Sequence, residues 1–314
     1  MEDEKDRARL YMGKDSDFKT FVWNPETSQF LGRTAGSWIK IGVFYVIFYA
    51  CLAGFFAVML AIFYQTLDTI SLPKYTPGGG GSILRNPAMG FRPLPRHENV
   101  ESTLIWYNNG DNDDIKHWVK SLNDFMEPYE ENNEKPADHV INCSETEPKS
   151  NQVCIFKSDW LADKCNKTEN WGYSRDSPCI ILKLNKMIRW TPEVYETIEE
   201  LPPNMPQALK DHINKSMKEN QGIIPKMIWV SCEGENPADQ EYIGPIQYSP
   251  WQGFPAYYFP YMHIPGYLPP VVAVKFDKPS SNVLINIECR AWAKNINHDR
   301  QRRLGLVHFE LLKD

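Results

Sequence analysis

The residues whose types and spacing come nearest to a catalytic site are the acidic residues of the segment Asp111-Asn112-Asp113. Two carboxylates spaced in this way hold a divalent metal and a sugar-nucleotide diphosphate in lumenal transferases. The pair lies just before an apolar-periodic stretch, where Asn and Asp are the side chains that cap a helix. Nucleotide-binding transferases also need alternating strands and helices, which the following sequence does not show. The motif therefore favours a helix cap, and a lumenal enzyme using Asp111 and Asp113 is the weaker alternative.

No other residues form a catalytic pattern. The seven histidines are scattered, and the chain contains no His-Glu-x-x-His, Cys-x-x-Cys, Gly-x-Ser-x-Gly or Walker A motif. The Gly78–Gly81 run has no strand-to-helix context and is interpreted as linker. The net charge of -6 argues against nucleic acid and anionic lipid as partners. The sequence therefore predicts no enzyme, no metal and no cofactor.

Cysteines and glycosylation sequons point instead to the secretory pathway. Six of the seven cysteines follow residue 142, and three Asn-x-Ser/Thr sequons have Asn142, Asn166 and Asn214 as acceptors. Disulfides and N-glycans are both typical of the secretory lumen and the cell surface. This part of the chain is therefore expected to be an extracytoplasmic domain. The seventh cysteine, Cys51, lies in an apolar segment and is expected to be unpaired.

Ile41 to Tyr64 is a segment of 24 residues without a charged side chain. A helix of that length spans about 36 Å, and the hydrocarbon core of a bilayer is about 30 Å thick. A signal sequence is shorter and starts nearer the N-terminus, and a soluble core helix rarely stays apolar on every face. The segment therefore predicts one membrane-spanning helix.

The chemistry on the two sides of this span predicts its orientation. Flanking basic residues favour a cytoplasmic N-terminus only slightly. All three sequons and all six pairing cysteines follow the span, which places the C-terminal part outside. We expect a single-pass type II protein with a cytoplasmic segment (1–40), a transmembrane helix (41–64), a linker (65–82) and an extracellular domain (83–314).

The extracellular part is predicted to be mainly β, with one clear amphipathic helix beside it. Asp113 to Met126 carries apolar residues at helical spacing, with Asn112 or Asp113 as cap and Pro128 after its end. A weaker helix is predicted over Gln207 to Lys218, and it is interpreted as an insertion. The strand candidates are Cys179–Leu184, Lys226–Cys232, Val271–Phe276, Asn282–Trp292 and Leu304–Leu312. This set predicts an antiparallel, immunoglobulin-like β-sandwich flanked by the helix.

Cys232 and Cys289 lie on the apolar faces of two late strands, so they are expected to bridge two sheets of the sandwich. Closing the intervening loop stabilises the fold by about 4 kcal/mol in the chain-entropy account. Six cysteines allow fifteen connectivities. We favour pairing in sequence order, which joins Cys143 to Cys154, Cys165 to Cys179 and Cys232 to Cys289.

Two groups of aromatic residues are candidate protein-binding surfaces. In the span, Tyr45, Phe48 and Tyr49 form one helix face, and a phenol inside lipid is better placed against another helix. The glycines of the span, Gly42 and Gly54, are twelve residues apart and do not form a Gly-x-x-x-Gly motif, which favours a different chain as partner; rings that simply face lipid are the alternative. The extracellular stretch Tyr248 to Tyr267 mixes prolines with rings, a composition typical of interfaces or of a loop that covers the core.

The chain resembles the β subunits of the sodium/potassium-pumping P-type ATPase along almost its whole length. The matching motifs are Phe21-Val22-Trp23-Asn24-Pro25, Phe30-Leu31-Gly32-Arg33-Thr34, Ser37-Trp38, Phe44 to Tyr49, Cys51 to Gly54, Cys154 to Cys165, Pro178 to Ile181 and Tyr257-Tyr258-Phe259-Pro260-Tyr261. The order of the six cysteines also agrees. The resemblance supports sequential disulfide pairing.

The resemblance implies a non-catalytic plasma-membrane subunit that helps a catalytic α subunit fold, reach the cell surface and respond to potassium. It implies that Tyr45, Phe48 and Tyr49 pack on the seventh transmembrane helix of α. It also implies that Tyr257, Tyr258, Phe259 and Tyr261 contact the extracellular loop between the seventh and eighth α helices. A small third regulatory subunit is a further partner that the resemblance allows.

The chain departs from the common vertebrate pattern in its short first disulfide loop, the Gly78–Gly81 run, the 201–225 segment and Met262-His263 after Tyr261. These differences indicate an invertebrate or divergent member. Two further alternatives are a β subunit of the related proton/potassium pump and a stand-alone type II adhesion glycoprotein. The segment Gly32 to Trp38 favours the sodium pump over the proton pump.

Overall fold

The structure is a computed structural model that describes residues 22–24, 27–66, 86–95, 102–108, 112–144, 148–149 and 151–314. It divides into two compact units, Met1–Asp68 and Thr69–Asp314. Most of the predicted linker, residues 65–82, lies outside the described residues, as does the start of the predicted cytoplasmic segment.

The first unit is dominated by one long apolar helix, α1, over Ala35–Thr66. Its 32 residues correspond to about 48 Å, and none of them is buried. It is long and apolar enough to cross a membrane, in agreement with the predicted span, and it begins earlier than predicted because Gly36 to Lys40 continue the helix. Three two-residue strands form an antiparallel meander just before it: β1 Trp23–Asn24, β2 Gln29–Phe30 and β3 Arg33–Thr34.

The second unit is a β-sandwich with helices on its flanks. One sheet has four strands in the order β10-β12-β8-β4, and the other has five in the order β11-β9-β13-β14-β5. The strands of the two sheets are β4 Met89–Arg92, β5 Leu104–Tyr107, β8 Cys179–Leu184, β9 Met227–Gly234, β10 Ile246–Ser249, β11 Gly253–Pro255, β12 Val271–Phe276, β13 Leu284–Trp292 and β14 Leu306–Lys313. A separate small parallel pair is formed by β6 Val140–Ile141 and β7 Val153–Cys154.

The two sheets pack face to face through aromatic and branched side chains. Phe309 on β14 lies 5.1 Å from Phe91 on β4 and 6.2 Å from Phe276 on β12, measured between ring centroids. All three rings are buried. Every neighbouring pair of strands in the two sheets is antiparallel except β5 with β14, which is parallel. The predicted membrane helix and mainly antiparallel sandwich are therefore confirmed.

The helix predicted over Asp113 to Met126 is real but longer than expected. In the structure α2 covers Asn112–Glu134, so Pro128 lies inside it and does not follow its end. Proline removes one helical hydrogen bond, and packing offsets this loss. The next residue, Tyr129, is buried, and its hydroxyl donates to the Pro269 carbonyl oxygen at 2.8 Å. Asn112 and Asp113, the two predicted cap residues, both lie in the first turn of α2, so that prediction is wrong.

The segment interpreted as an insertion builds a second apolar cluster. Helix α3, Gln207–Glu219, turns Leu209 and Ile213 onto Trp229 of β9 and Trp292 of β13. Both helical side chains and both indoles are almost fully buried. This cluster covers the face of the five-stranded sheet that is turned away from the sandwich core. A short helix, α4 Pro237–Tyr242, follows β9.

Candidate partner-binding surfaces

The three disulfides join the cysteines in sequence order. The Cα–Cα distances are 5.4 Å for Cys143–Cys154, 5.9 Å for Cys165–Cys179 and 4.0 Å for Cys232–Cys289. Cys51 on α1 is free and exposed. The bonded cysteines are all buried, so each bridge lies within the packed part of the second unit.

The expectation that Cys232 and Cys289 bridge the two sheets is wrong. They are directly paired residues of the adjacent antiparallel strands β9 and β13, in one sheet. Their short Cα separation is typical of a pair that does not exchange backbone hydrogen bonds. The Cys232 N–H instead donates to the Tyr248 phenol oxygen at 2.8 Å. Because Tyr248 lies on β10 of the other sheet, this hydrogen bond joins the two sheets at this point.

The first disulfide lies directly beside the aromatic stretch. The Cys154 sulfur lies 3.4 Å from the Tyr257 carbonyl oxygen. One residue further on, the Ile155 carbonyl accepts a 2.8 Å hydrogen bond from the Tyr258 hydroxyl. The short loop closed by Cys143 and Cys154 therefore fixes the backbone that presents the rings of residues 257 to 261.

The predicted contact residues of this stretch divide into inner and outer rings. Tyr258 is only 3% exposed, and burial raises the pKa of its phenol above the ordinary value. Tyr257, stacked on it at 4.8 Å, is half-buried, as are Phe259 and Tyr261. Tyr258 therefore anchors the stretch, and the other three rings remain partly exposed.

Two residues that the sequence reasoning did not select hold the outer rings in place. The Lys186 ammonium lies 5.4 Å from the Tyr261 ring and 5.6 Å from the Tyr267 ring, and donates to the Tyr267 carbonyl at 3.3 Å. Tyr129 fixes the far end of the stretch through Pro269, as described above. No local pattern marks either residue, because both act across long sequence separations.

A small groove runs between the aromatic stretch and the first disulfide loop. Its volume is about 290 Å³. Its rim is largely apolar and aromatic, with Lys149 and Gln152 on the loop side. The principal ring-bearing residues that line it are Tyr257, Tyr258, Phe259 and Tyr267. A groove of this kind accepts apolar side chains of an extended segment, with backbone and amide groups at the edge available for hydrogen bonds.

The aromatic face of α1 is uncovered. The Tyr45 and Tyr49 rings stack at 6.0 Å, and Phe48 meets Tyr49 edge-on at 5.4 Å. About half of each side chain is exposed within the chain. In hydrocarbon a phenol hydroxyl without a partner is costly, so this face suits a neighbouring helix.

The three sequons occupy different local structures. The Asn142 side-chain oxygen accepts from both the Ser144 N–H, at 3.3 Å, and the Ser144 hydroxyl, at 2.8 Å. The Asn166 side-chain oxygen accepts from the Thr168 N–H at 2.9 Å. Asn214 lies within α3 and is half-buried.

Only one member of the candidate metal pair lies in the part of the chain that the structure describes. Asp111 lies outside the described residues, and Asp113 forms an exposed 2.8 Å ion pair with Lys116 that lowers the pKa of its carboxyl. Among the described residues no group of three His, Cys, Asp or Glu side chains is arranged to hold a metal ion. The described part of the chain therefore gives no support to the hypothesis of a metal-dependent enzyme.

The fold therefore combines one helix that is long and apolar enough to cross a membrane with a disulfide-bonded β-sandwich that carries half-buried aromatic rings. The profile of the family described as "Sodium / potassium ATPase beta chain" matches residues 10–309. The sodium/potassium-transporting ATPase subunit beta-2 of Drosophila melanogaster is 46% identical, covering 96% of this chain and 93% of its own length. The Drosophila beta-1 subunit is 36% identical over 96% of this chain and 94% of its own length, and a probable beta-3 subunit of Caenorhabditis briggsae is 34% identical over 94% and 86%.

The chain therefore belongs to the sodium/potassium ATPase beta-chain family, whose members are non-catalytic subunits that associate with a catalytic alpha subunit.

Replacing Cys232 and Cys289 together with serine is expected to reduce the amount of chain at the cell surface strongly. The change removes a 57-residue loop closure worth about 4 kcal/mol, a large share of the stability of one domain. Surface biotinylation with total immunoblotting measures the delivered fraction. Cys51→Ser is the matched control and should behave like the native chain. Native-level delivery of the double variant would show that the bridge is dispensable.

Proposed function

We propose that this chain assembles with the catalytic α subunit of a sodium/potassium pump, and that α needs it for folding, for stability and for delivery to the plasma membrane. The observation that carries the proposal is the uncovered aromatic face of α1, Tyr45, Phe48 and Tyr49. The names of the relatives support the choice of pump. The seventh transmembrane helix of α is the proposed counterpart of this face.

The aromatic face explains why the subunits need one another. Helices in lipid associate through close packing and through hydrogen bonds between polar groups that lipid leaves unpaired. The two tyrosines of α1 bring hydroxyl groups into the bilayer, and an α helix offers them acceptors. Until that contact forms, both helices expose unpaired polar groups to lipid. In this proposal, cellular quality control recognises such chains as unassembled.

The outer rings of the extracellular unit form the second proposed contact. Tyr257, Phe259 and Tyr261 present half-buried rings beside the 290 Å³ groove. Rings held rigidly by Tyr258 and Lys186 lose little conformational entropy on binding. We assign the extracellular loop between the seventh and eighth α helices to this surface.

Two such contacts also give a route to tuning potassium affinity. The α subunit alternates between conformations, and a partner shifts the equilibrium only if it binds the two conformations with different free energies. In this proposal, the contact on the α helix and the contact on the extracellular loop each have different binding free energies in the two conformations. By reciprocity, potassium binding then changes the affinity between the subunits.

The proposed orientation is type II, with the sandwich outside the plasma membrane. The three disulfides and the three sequons lie in the second unit, which suits an oxidising compartment with oligosaccharyltransferase. Asn142 and Asn166 sit in side-chain turns at the surface, so attached glycans would project into water.

Replacing Tyr45, Phe48 and Tyr49 together with alanine is expected to weaken recovery of α or to shift potassium activation of ATP hydrolysis. The change deletes the rings and hydroxyl groups of the proposed contact. Recovery of α on the tagged chain and the potassium dependence of ouabain-sensitive hydrolysis are the measurements.

The matched control for this triple change is alanine at Val43, Ile47 and Val58, which lie on the opposite side of α1. The control should leave α recovery and potassium activation unchanged. Equal behaviour of the two triple variants would overturn the assigned face.

Replacing Tyr257 and Tyr261 together with alanine is expected to make the complex dissociate more readily in detergent, because two outer rings are lost while the Tyr258 anchor remains. The retained fraction of α after graded detergent washes is the readout. Tyr242→Ala, an exposed tyrosine away from the groove, is the control. If both variants retain α equally, the loop contact lies elsewhere.

Glutamine at Asn142, Asn166 and Asn214, one at a time, is expected to remove one glycan step each on a gel, since all three sequons face the lumen in the proposed orientation. Amidase treatment should collapse every form to one band. Thr168→Ser preserves the Asn166 sequon and should keep its glycan. A membrane-inserted chain with no glycan at any site would contradict the type II orientation.

A further inference from the structure

The meander before α1 is an ordered element with two chemically different faces. Trp23 pairs directly with Phe30, and Phe30 pairs directly with Arg33. Directly paired residues of antiparallel strands project their side chains to the same face. The neighbouring pair Gln29 and Thr34 therefore projects to the opposite face. One face thus carries two aromatic rings and a cation, and the other carries the amide of Gln29 and the hydroxyl of Thr34.

The aromatic face is not covered by the described part of its own unit. Trp23 is 54% exposed and Phe30 is 46% exposed, although both are large apolar side chains. In a soluble protein such a cluster would be turned inward or would mark an interaction site.

The first turn of α1 fixes the meander to the end of the span. The Trp38 indole N–H donates to the Phe30 carbonyl oxygen at 2.8 Å, and the two rings lie 6.1 Å apart. Trp38 precedes the first residue of the uncharged segment, Ile41, by three positions, or about 4.5 Å along the helix axis. The Phe30 ring therefore sits close to the level at which the apolar segment begins.

That level is the headgroup region of a bilayer when α1 spans it. Tryptophan is enriched there because its ring is amphipathic, and basic side chains reach from there to lipid phosphates. Arg33 on the aromatic face and Lys40 on α1 are both exposed and lie on either side of Trp38 in sequence. The cluster therefore matches a phospholipid headgroup layer in apolar surface and in charge.

We propose that the meander is an interfacial seat, in which Trp23, Phe30 and Trp38 lie among phospholipid headgroups and Arg33 and Lys40 meet their phosphates. The surface is continuous with the membrane-spanning helix, which is why lipid rather than a protein is assigned to it. The seat sets the depth of α1 in the bilayer, and with it the depth at which Tyr45, Phe48 and Tyr49 meet a partner. The proposal rests on α1 spanning a membrane and not on the identity of the pump.

Photocrosslinking from single positions tests this assignment in the native membrane. A benzophenone amino acid is placed at residue 23 or 30 on the aromatic face, and at residue 29 or 34 on the polar face, in the full tagged chain expressed with α. After irradiation, lipid adducts are measured by mass spectrometry of the purified chain, and protein adducts by their shift on a gel. The four sites share one probe, so they differ only in the face that carries it.

Lipid adducts at 23 and 30 several-fold above those at 29 and 34 would support the seat. Protein adducts at 23 and 30 in place of lipid would overturn it and assign the face to the α subunit or another chain. Equal yields at all four sites, or no adducts at any of them, would also overturn it. Recovery of α from the same samples is scored separately, so its loss with lipid adducts retained would count only against the pump proposal.

Trp38→Phe supplies the matched second variant. It keeps an apolar ring but removes the N–H that donates to Phe30. The difference in lipid adducts between the two faces should shrink, while surface delivery of the chain stays at the native level. An unchanged difference would show that the hydrogen bond does not hold the meander in its seat.

Discussion

An apolar helix with no residue buried by the described part of its own unit is the constraint on which the rest of this structure depends. No residue of α1 is buried, and its uncharged stretch matches the thickness of a bilayer. Lipid must therefore cover most of it, and the tyrosine hydroxyls make one face better suited to another helix. If α1 spans a membrane, the disulfides and sequons favour the oxidising side for the domain that carries them.

The second unit, Thr69–Asp314, holds aromatic rings at its surface without burying all of them in the core. Tyr258 enters the core and satisfies its hydroxyl on Ile155, next to a disulfide-bonded cysteine. Tyr257 and Phe259, which lie beside Tyr258, are half-buried. Burial of the inner ring holds the backbone that carries the outer rings. The predicted set of contact residues mixed these two roles, since composition alone cannot say which ring of a run turns inward.

The bounds of two buried six-residue strands were predicted best. The bounds of Cys179–Leu184 and Val271–Phe276 agree with the structure, because continuous β-branched runs between turn residues leave few alternatives. The strands Met89–Arg92, Leu104–Tyr107, Ile246–Ser249 and Gly253–Pro255 were missed, because each is only three or four residues long and depends on long-range pairing. Tertiary packing also overrode local signals. The buried Tyr129 stabilises α2 beyond Pro128. Glu288 of β13 is only 2% exposed although it is charged, and it forms ion pairs with Arg290 and Arg300.

The bridge between Cys232 and Cys289 shows that residue type and strand face do not suffice to predict which strands a disulfide joins. Alternation along a strand gives the face of each cysteine but not the order of strands in the sheet, and an immunoglobulin-like expectation supplied the wrong order. Because the bond lies within one sheet, it stiffens β9 and β13 against each other and leaves the two sheets joined by packing and by the Cys232–Tyr248 hydrogen bond. Tyr248 lies at the start of the aromatic stretch. The contact between the Cys232 N–H and the Tyr248 hydroxyl therefore joins the two sheets at the point where the aromatic stretch begins.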